Sequence, residues 1–149
     1  MSVISTIHDT LITKVSSVLS SDYKQLPNPY ELGENNELYL TKGFGLAVGA
    51  GSRTDRLINC KASWQREFSL TLVNQITTTD HDLDKRQDIA KSLLEDHFLV
   101  FIELEKDTSL SGLVIDSKIE SDSGLQFISE INRYYFIDMS LTVEYLESY

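Results

Sequence analysis

The sequence predicts an α+β domain built on one sheet. Three observations predict it: apolar residues recur at helical steps near the N-terminus and again after residue 80, four other stretches alternate with period two, and turn-forming residues gather between these segments. The expected order is helix, strand, strand, helix, strand, strand, in one domain spanning 1–149.

Residues 3–20 place Ile4, Ile7, Leu11, Val15, Val18 and Leu19 three and four apart with Ser, Thr and Lys between them, the pattern of an amphipathic helix. LPNPYELGENN (26–36) holds both prolines, a glycine and three asparagines, so it ends the helix and crosses to the sheet as a loop. From Leu38 to Val48 the apolar residues Leu38, Leu40, Phe44, Leu46 and Val48 fall on even positions, a half-buried strand in which Gly43 and Gly45 mark a bulge or a close approach. GAGSRTDR (49–56) reads as an exposed basic loop. In the next strand Trp64, Phe68, Leu70 and Leu72 take one face and Gln65, Glu67, Ser69 and Thr71 the other.

Residues 78–82 offer N-cap residues and first-turn acids, with Thr79 and Asp82 in capping-box spacing, so a second helix starts near residue 80. Leu83, Ala90, Leu94, Phe98 and Phe101 continue it at helical steps. FLVFIEL (98–104) is β-branched and aromatic enough to be a buried strand, while length and spacing favour continued helix. Leu113, Ile115, Ser117 and Ile119 then alternate, SDSG makes a turn, and Tyr135, Ile137, Met139, Leu141, Val143 and Tyr145 alternate to the end.

Composition narrows function. With 149 residues, 41% apolar and 24% charged, the chain has room for one core, and 7 glycines and 2 prolines argue against disorder. Cys60 is the single cysteine, which excludes an internal disulfide and a multi-cysteine zinc site and fits a reducing compartment. The first twenty residues lack a basic segment followed by an apolar run, and nowhere do 18 apolar residues stand together, so neither export nor membrane insertion is expected. A net charge of −10 repels nucleic acid and anionic lipid. The charge is uneven: Lys42–Arg66 carries five bases against Asp55, whereas Leu93–Tyr149 carries twelve acids and three bases. Two solvated faces would produce that split, and so would complementary sides of a head-to-tail contact between identical subunits.

Each cluster that resembles a reactive site lacks a residue its chemistry needs. TDHDLD gathers Asp80, His81, Asp82 and Asp84, but as a calcium loop it has Lys85 where glycine belongs and Lys91 where a bidentate Glu belongs. His8, His81 and His97 share no short ligand spacing, and nothing pairs Cys60 with a base. In KGFGLAVGAG a third dinucleotide-binding glycine would replace Val48, and no Walker lysine follows. Tyr134, Tyr135 and Phe136 sit beside Glu130 and Asp138, whereas base-stacking platforms lie beside basic grooves. No catalytic, cofactor-binding or metal-binding residue is expected, and no enzymatic activity.

What remains is the order of elements with their punctuation: ISTIHDTLITKVSSVL, LPNPYELG, FGLAVGAG, WQREFSLTLVNQI, TDHDLDKRQDIAKSLLEDH, TSLSGLVIDSKI and FIDMSLTVEYLE. In this order, over nearly the whole chain, it resembles the tail terminator (tail completion, head-to-tail joining) proteins of long-tailed bacteriophages. The resemblance implies a single mostly antiparallel sheet with two helices packed on it, and six copies in a homohexameric ring in the tail and neck region of the virion, assembled in the host cytoplasm. That ring would meet the tail tube protein on one side and head-tail connector or neck proteins on the other, end tube polymerisation, and let DNA pass through its lumen unbound. No membrane and no cofactor is implied. A neck connector of the same region and a monomeric acidic protein-binding module are the alternatives. The charge split names the candidate ring contact, with Arg53 and Arg56 of one copy against Glu144 and Glu147 of the next.

Overall fold

Ser2 opens helix α1 (Val3–Val18), its hydroxyl accepting a hydrogen bond from the Ser5 amide at 3.2 Å and satisfying one of the donors a helix start leaves unpaired. The apolar stripe of the sequence goes inside: Ile7, Leu11 and Val15 are buried, with Ile4 and Val18 packed beside them. Leu19 takes an extended backbone and ends the helix. The chain here is a computed structural model that describes residues 2–26, 29–30, 42–58, 61–76, 83–128 and 133–148, with the backbone alone at 55–58, 128 and 148.

Strands β1 (Tyr23–Gln25), β2 (Lys42–Ile58), β3 (Lys61–Gln75), β4 (Asp116–Asp122), β5 (Gln126–Ile128) and β6 (Tyr134–Ser148) form one sheet in the order β1-β2-β3-β6-β4, with β5 also on β6. Every pair is antiparallel except β1 with β2, so the sheet is mixed and mostly antiparallel. Its register sets apolar rows across three strands: Phe44, Leu72 and Ile137; Leu46, Leu70 and Met139; Val48, Phe68 and Leu141. Helix α1 and helix α2 (Leu83–Lys106) cover that face, α2 contributing Leu93, Val100 and Leu104 to the same core. The expected α+β arrangement of two helices on one sheet is what forms.

The opposite face is met at one end by Leu26 and Pro29. Leu26 packs there with Val73, Tyr134 and Phe136. That contact explains Gly45: a Cβ at that position would come within 2.8 Å of Pro29 Cβ and 3.2 Å of Leu26 Cδ1. Close approach, of the two roles open to the strand glycines, is the one the structure uses here, and the bulges lie elsewhere in β2.

Four expectations are corrected. GAGSRTDR is not a loop: β2 continues through it to Ile58, because β3 supplies ladder partners, and irregularities between Val48 and Gly51 and between Arg53 and Leu57 absorb the turn-prone residues. In α2 the apolar positions read from sequence are the wrong row, since Leu83, Leu94, Phe98 and Phe101 are exposed and Leu93, Val100 and Leu104 are buried. Leu113 and Ile115 precede the strand, which starts at Asp116. The short strands β1 and β5 had no sequence signal of their own. FLVFIEL is helical, as length and spacing favoured. Leu38, Leu40, most of the proline-bearing crossover and the capping-box residues 79–82 lie outside the described residues.

Between α2 and β4 the backbone turns through three consecutive positive-φ residues, Leu110, Ser111 and Gly112. Leu110 is driven there by burial, with its side chain 1% exposed. Asp107 holds the turn: its carboxylate accepts from the Ser109 hydroxyl at 2.8 Å and the Ser111 amide at 2.7 Å, and Lys14 of α1 stands 3.8 Å away. The Ser109 hydroxyl first, and then the Ser111 amide, hold the Asp107 carboxyl below its ordinary 3.8. A depressed carboxylate stabilises the fold above the unfolded pKa, and that contribution disappears as pH falls through the folded one. Asp107→Asn should therefore lower the melting temperature at pH 7, and the gap from wild type should shrink below about pH 4. Thermal melts across that range check it, and a gap independent of pH would refute the assignment.

Candidate subunit interface

The residues with the strongest sequence case stand at the far end of the sheet. There Arg53 of β2 is opposite Trp64 of β3, which is opposite Tyr145 of β6. One step along, Ser52, Gln65 and Glu144 form the next row, and Leu57, Ala62 and Glu147 form a third. Arg53 and Arg56 thus lie on the β2 side of β3, and Glu144 and Glu147 on the β6 side, roughly 10 Å away across two strand spacings. Register puts Glu147 on the face that Arg53 occupies and Glu144 on the other. Within one chain the ladder sets the two pairs apart. Arg53 is exposed, Glu144 and Glu147 are half-buried, and the side chain of Arg56 lies outside the described residues.

Two neighbours sharpen the asymmetry. Asp116 of β4 pairs opposite Glu144 and adds an exposed acid to that side. Arg66, part of the basic middle segment, is used internally: Nε donates to the Tyr145 hydroxyl at 3.2 Å and Nη1 to the Gly49 carbonyl at 3.0 Å. Its guanidinium lies so close over Gly51 that a Cβ there would meet Cζ at 2.6 Å. Arg66 seals the bulge in β2 and is not a surface cation.

The second surface is the outward face of α2. Leu94 is 46% exposed, Phe98 60%, Leu99 47%, Phe101 38% and Ile102 37%, a contiguous apolar area in the C-terminal half of the helix. Sequence reading missed this surface because Leu94, Phe98 and Phe101 were read only as the row that continues the helix, and Leu99 and Ile102 were not singled out.

A buried polar cluster fixes α2 to the sheet. The Tyr23 hydroxyl of β1 lies 2.6 Å from Asp96 Oδ2 of α2 and 3.0 Å from Asn74 Oδ1 of β3. Its one proton goes to the carboxylate, and an Asn74 amide turned end for end would donate back to the hydroxyl. Lys42 of β2 stands 4.0 Å from Asp96 and 5.4 Å from the centre of the Tyr23 ring. Burial first, then the hydrogen bond and charge of Asp96, push the Tyr23 hydroxyl well above its usual range, so it stays a donor.

Among the described residues no group of three or more His, Cys, Asp or Glu is placed to hold a metal ion, and no helix is long and apolar enough to cross a membrane. His8 contacts the Leu46 carbonyl at 3.0 Å and His97 lies 3.9 Å from Asp122, two separate sites, while His81 and Cys60 fall outside the described residues. A hollow of about 290 Å³ on the uncovered sheet face is lined by Glu67, Ser69, Asp122, Asp138 and Ser140 among others, carboxylates and hydroxyls with no histidine or lysine among the lining residues.

No family model and no curated protein matches the chain. Among solved structures, the chain is similar to one from the virion of a native gene transfer agent particle, at 10% identity over 94% of each chain, with a TM-score of 0.37.

Tyr23→Phe removes the only hydroxyl in the cluster and leaves Asp96 without its shortest hydrogen bond. The change should cost about 1–3 kcal/mol in denaturant unfolding, and an unchanged midpoint would show that the cluster is not part of what holds α2.

Proposed function

We propose that this chain is a structural virion subunit that closes into a ring at the head-proximal end of a phage tail tube, stops tube growth there, and provides the surface that joins tail to head. The observation supporting it is the separation of charge at the far end of the sheet, basic on the β2 side and acidic on the β6 and β4 side. Opposite charge thus stands on opposite margins of one copy. It suits a heterologous contact in which the basic margin of each copy meets the acidic margin of the next, and such contacts close into a ring when the rotation between copies divides a full turn.

The copy number of six and the neighbours, a tube protein and a neck protein, follow from the resemblance to tail terminators. A net charge of −10 fits a lumen through which DNA slides, because it supplies few cations to replace phosphate counterions. The reading assigns the chain no catalytic role: it acts by shape and position.

Native mass spectrometry and negative-stain imaging at low salt should find closed rings that dissociate as salt rises. Reversing Arg53 and Arg56 to Glu should weaken assembly about ten-fold or more at low salt and invert its salt dependence, since added ions would then screen repulsion. Unchanged stoichiometry in that variant, or a wild-type chain that stays monomeric when concentrated at low salt, would overturn the proposal.

A further inference from the structure

We infer that the outward face of α2 pairs two copies of this chain, helix against helix and antiparallel, about a two-fold axis through Phe98. The inference is independent of the ring contact, which uses the other end of the sheet.

Size comes first. The five exposed side chains leave on the order of 400 Å² of apolar surface in water, at the upper end of what monomers tolerate and about half of what each partner buries in a standard interface. Spacing comes next. Leu94, Phe98 and Phe101 follow one another at steps of four and three, with Ile102 beside them, which is the line one helix presents to another.

Charge identifies the partner. Lys91 lies three residues before Leu94 and Glu105 four residues after Phe101, on the same line and both exposed. Neither makes an ion pair or side-chain hydrogen bond among the described residues. A two-fold axis through Phe98 sets Phe98 against Phe98, Leu94 against Ile102, and Lys91 against Glu105 at both ends. A parallel pairing would set Lys91 against Lys91 and Glu105 against Glu105. The antiparallel arrangement of two identical helices therefore matches shape and charge at once, which makes a second copy the occupant. The modest area makes the pair weak and concentration-dependent.

The test is sedimentation of the full chain at rising concentration, in the Arg53→Glu/Arg56→Glu background so that ring formation does not contribute. A dimer is expected. Lys91→Glu and Glu105→Lys should each raise its Kd about ten-fold, because each reversal creates two like-charge contacts across the axis, and the double swap should return Kd to within about two-fold of the parent. Phe98→Asp should abolish the dimer while leaving the circular dichroism and melting temperature unchanged, since the side chain is on the surface. A parent chain that stays monomeric throughout, or a double swap no tighter than the single reversals, would overturn the inference. Loss of rings with the dimer intact, or the reverse, separates failure of one reading from failure of the other.

Discussion

The structure depends on one ladder. Strand β3 pairs with β6 without interruption from Lys61 opposite Ser148 to Gln75 opposite Tyr134, and it carries β2 on its other side. Because side chains alternate along a strand, a slip of one residue would turn Phe68, Leu70 and Leu72 to the uncovered face and bring Glu67, Ser69 and Thr71 under the helices. The apolar rows with Leu141, Met139 and Ile137 exist in one register alone. Everything the helices bury is decided there, and so is the distance between Arg53 and Glu144 across β3.

Around that ladder, the two helices are held by different balances of contact. Helix α1 relies chiefly on Ile7, Leu11 and Val15, a non-directional apolar attachment, with the His8 ring 3.0 Å from the Leu46 carbonyl as its polar contact with β2. Helix α2 buries Leu93, Val100 and Leu104 and adds the directional link from Asp96 to Tyr23, which ties it to the edge of the sheet where β1 is only three residues long. A hydrogen-bonded carboxylate is intolerant of rotation, so the link fixes which side of α2 faces inward. It thereby fixes which side faces out.

Legibility in the sequence followed how local the cause was. Helix α1 and strands β3 and β6 were readable because each carries a single apolar face whose period names the element: Ile7, Leu11 and Val15 in one, Phe68, Leu70 and Leu72 in another. The length of β2 was not, because glycines and Ser-Arg-Thr-Asp-Arg favour turns when isolated, and it is the partner strand and the bulge sealed by Arg66 that extend them. Strand β1 exists only through its parallel pairing with β2. In the candidate contact, sequence named the residues from charge counts, and the structure added the arrangement, two margins held apart by β3. The α2 face was misread for a plain reason. Its C-terminal half is apolar on two sides, with Leu93, Val100 and Leu104 on one and Leu94, Phe98 and Phe101 on the other, and periodicity alone does not say which side the sheet takes.

A helix apolar on two sides but covered on one is a packing problem left open inside a single copy, and the charge of the chain shows how it stays manageable. At −10 each copy repels the next, so an exposed apolar face of a few hundred Å² does not lead to indiscriminate aggregation. The two surfaces then respond to salt in opposite senses. The proposed margin-to-margin contact would draw on attraction between Arg53 and carboxylates and be screened as ions are added. The α2 contact runs on apolar burial working against net repulsion, so screening the repulsion favours it, offset only by the flanking Lys91 and Glu105 pairs. On these two proposals, one acidic subunit would carry two contacts whose strengths diverge with ionic strength, one directional and charge-matched, the other apolar and symmetric, placed by the same ladder on different parts of the fold.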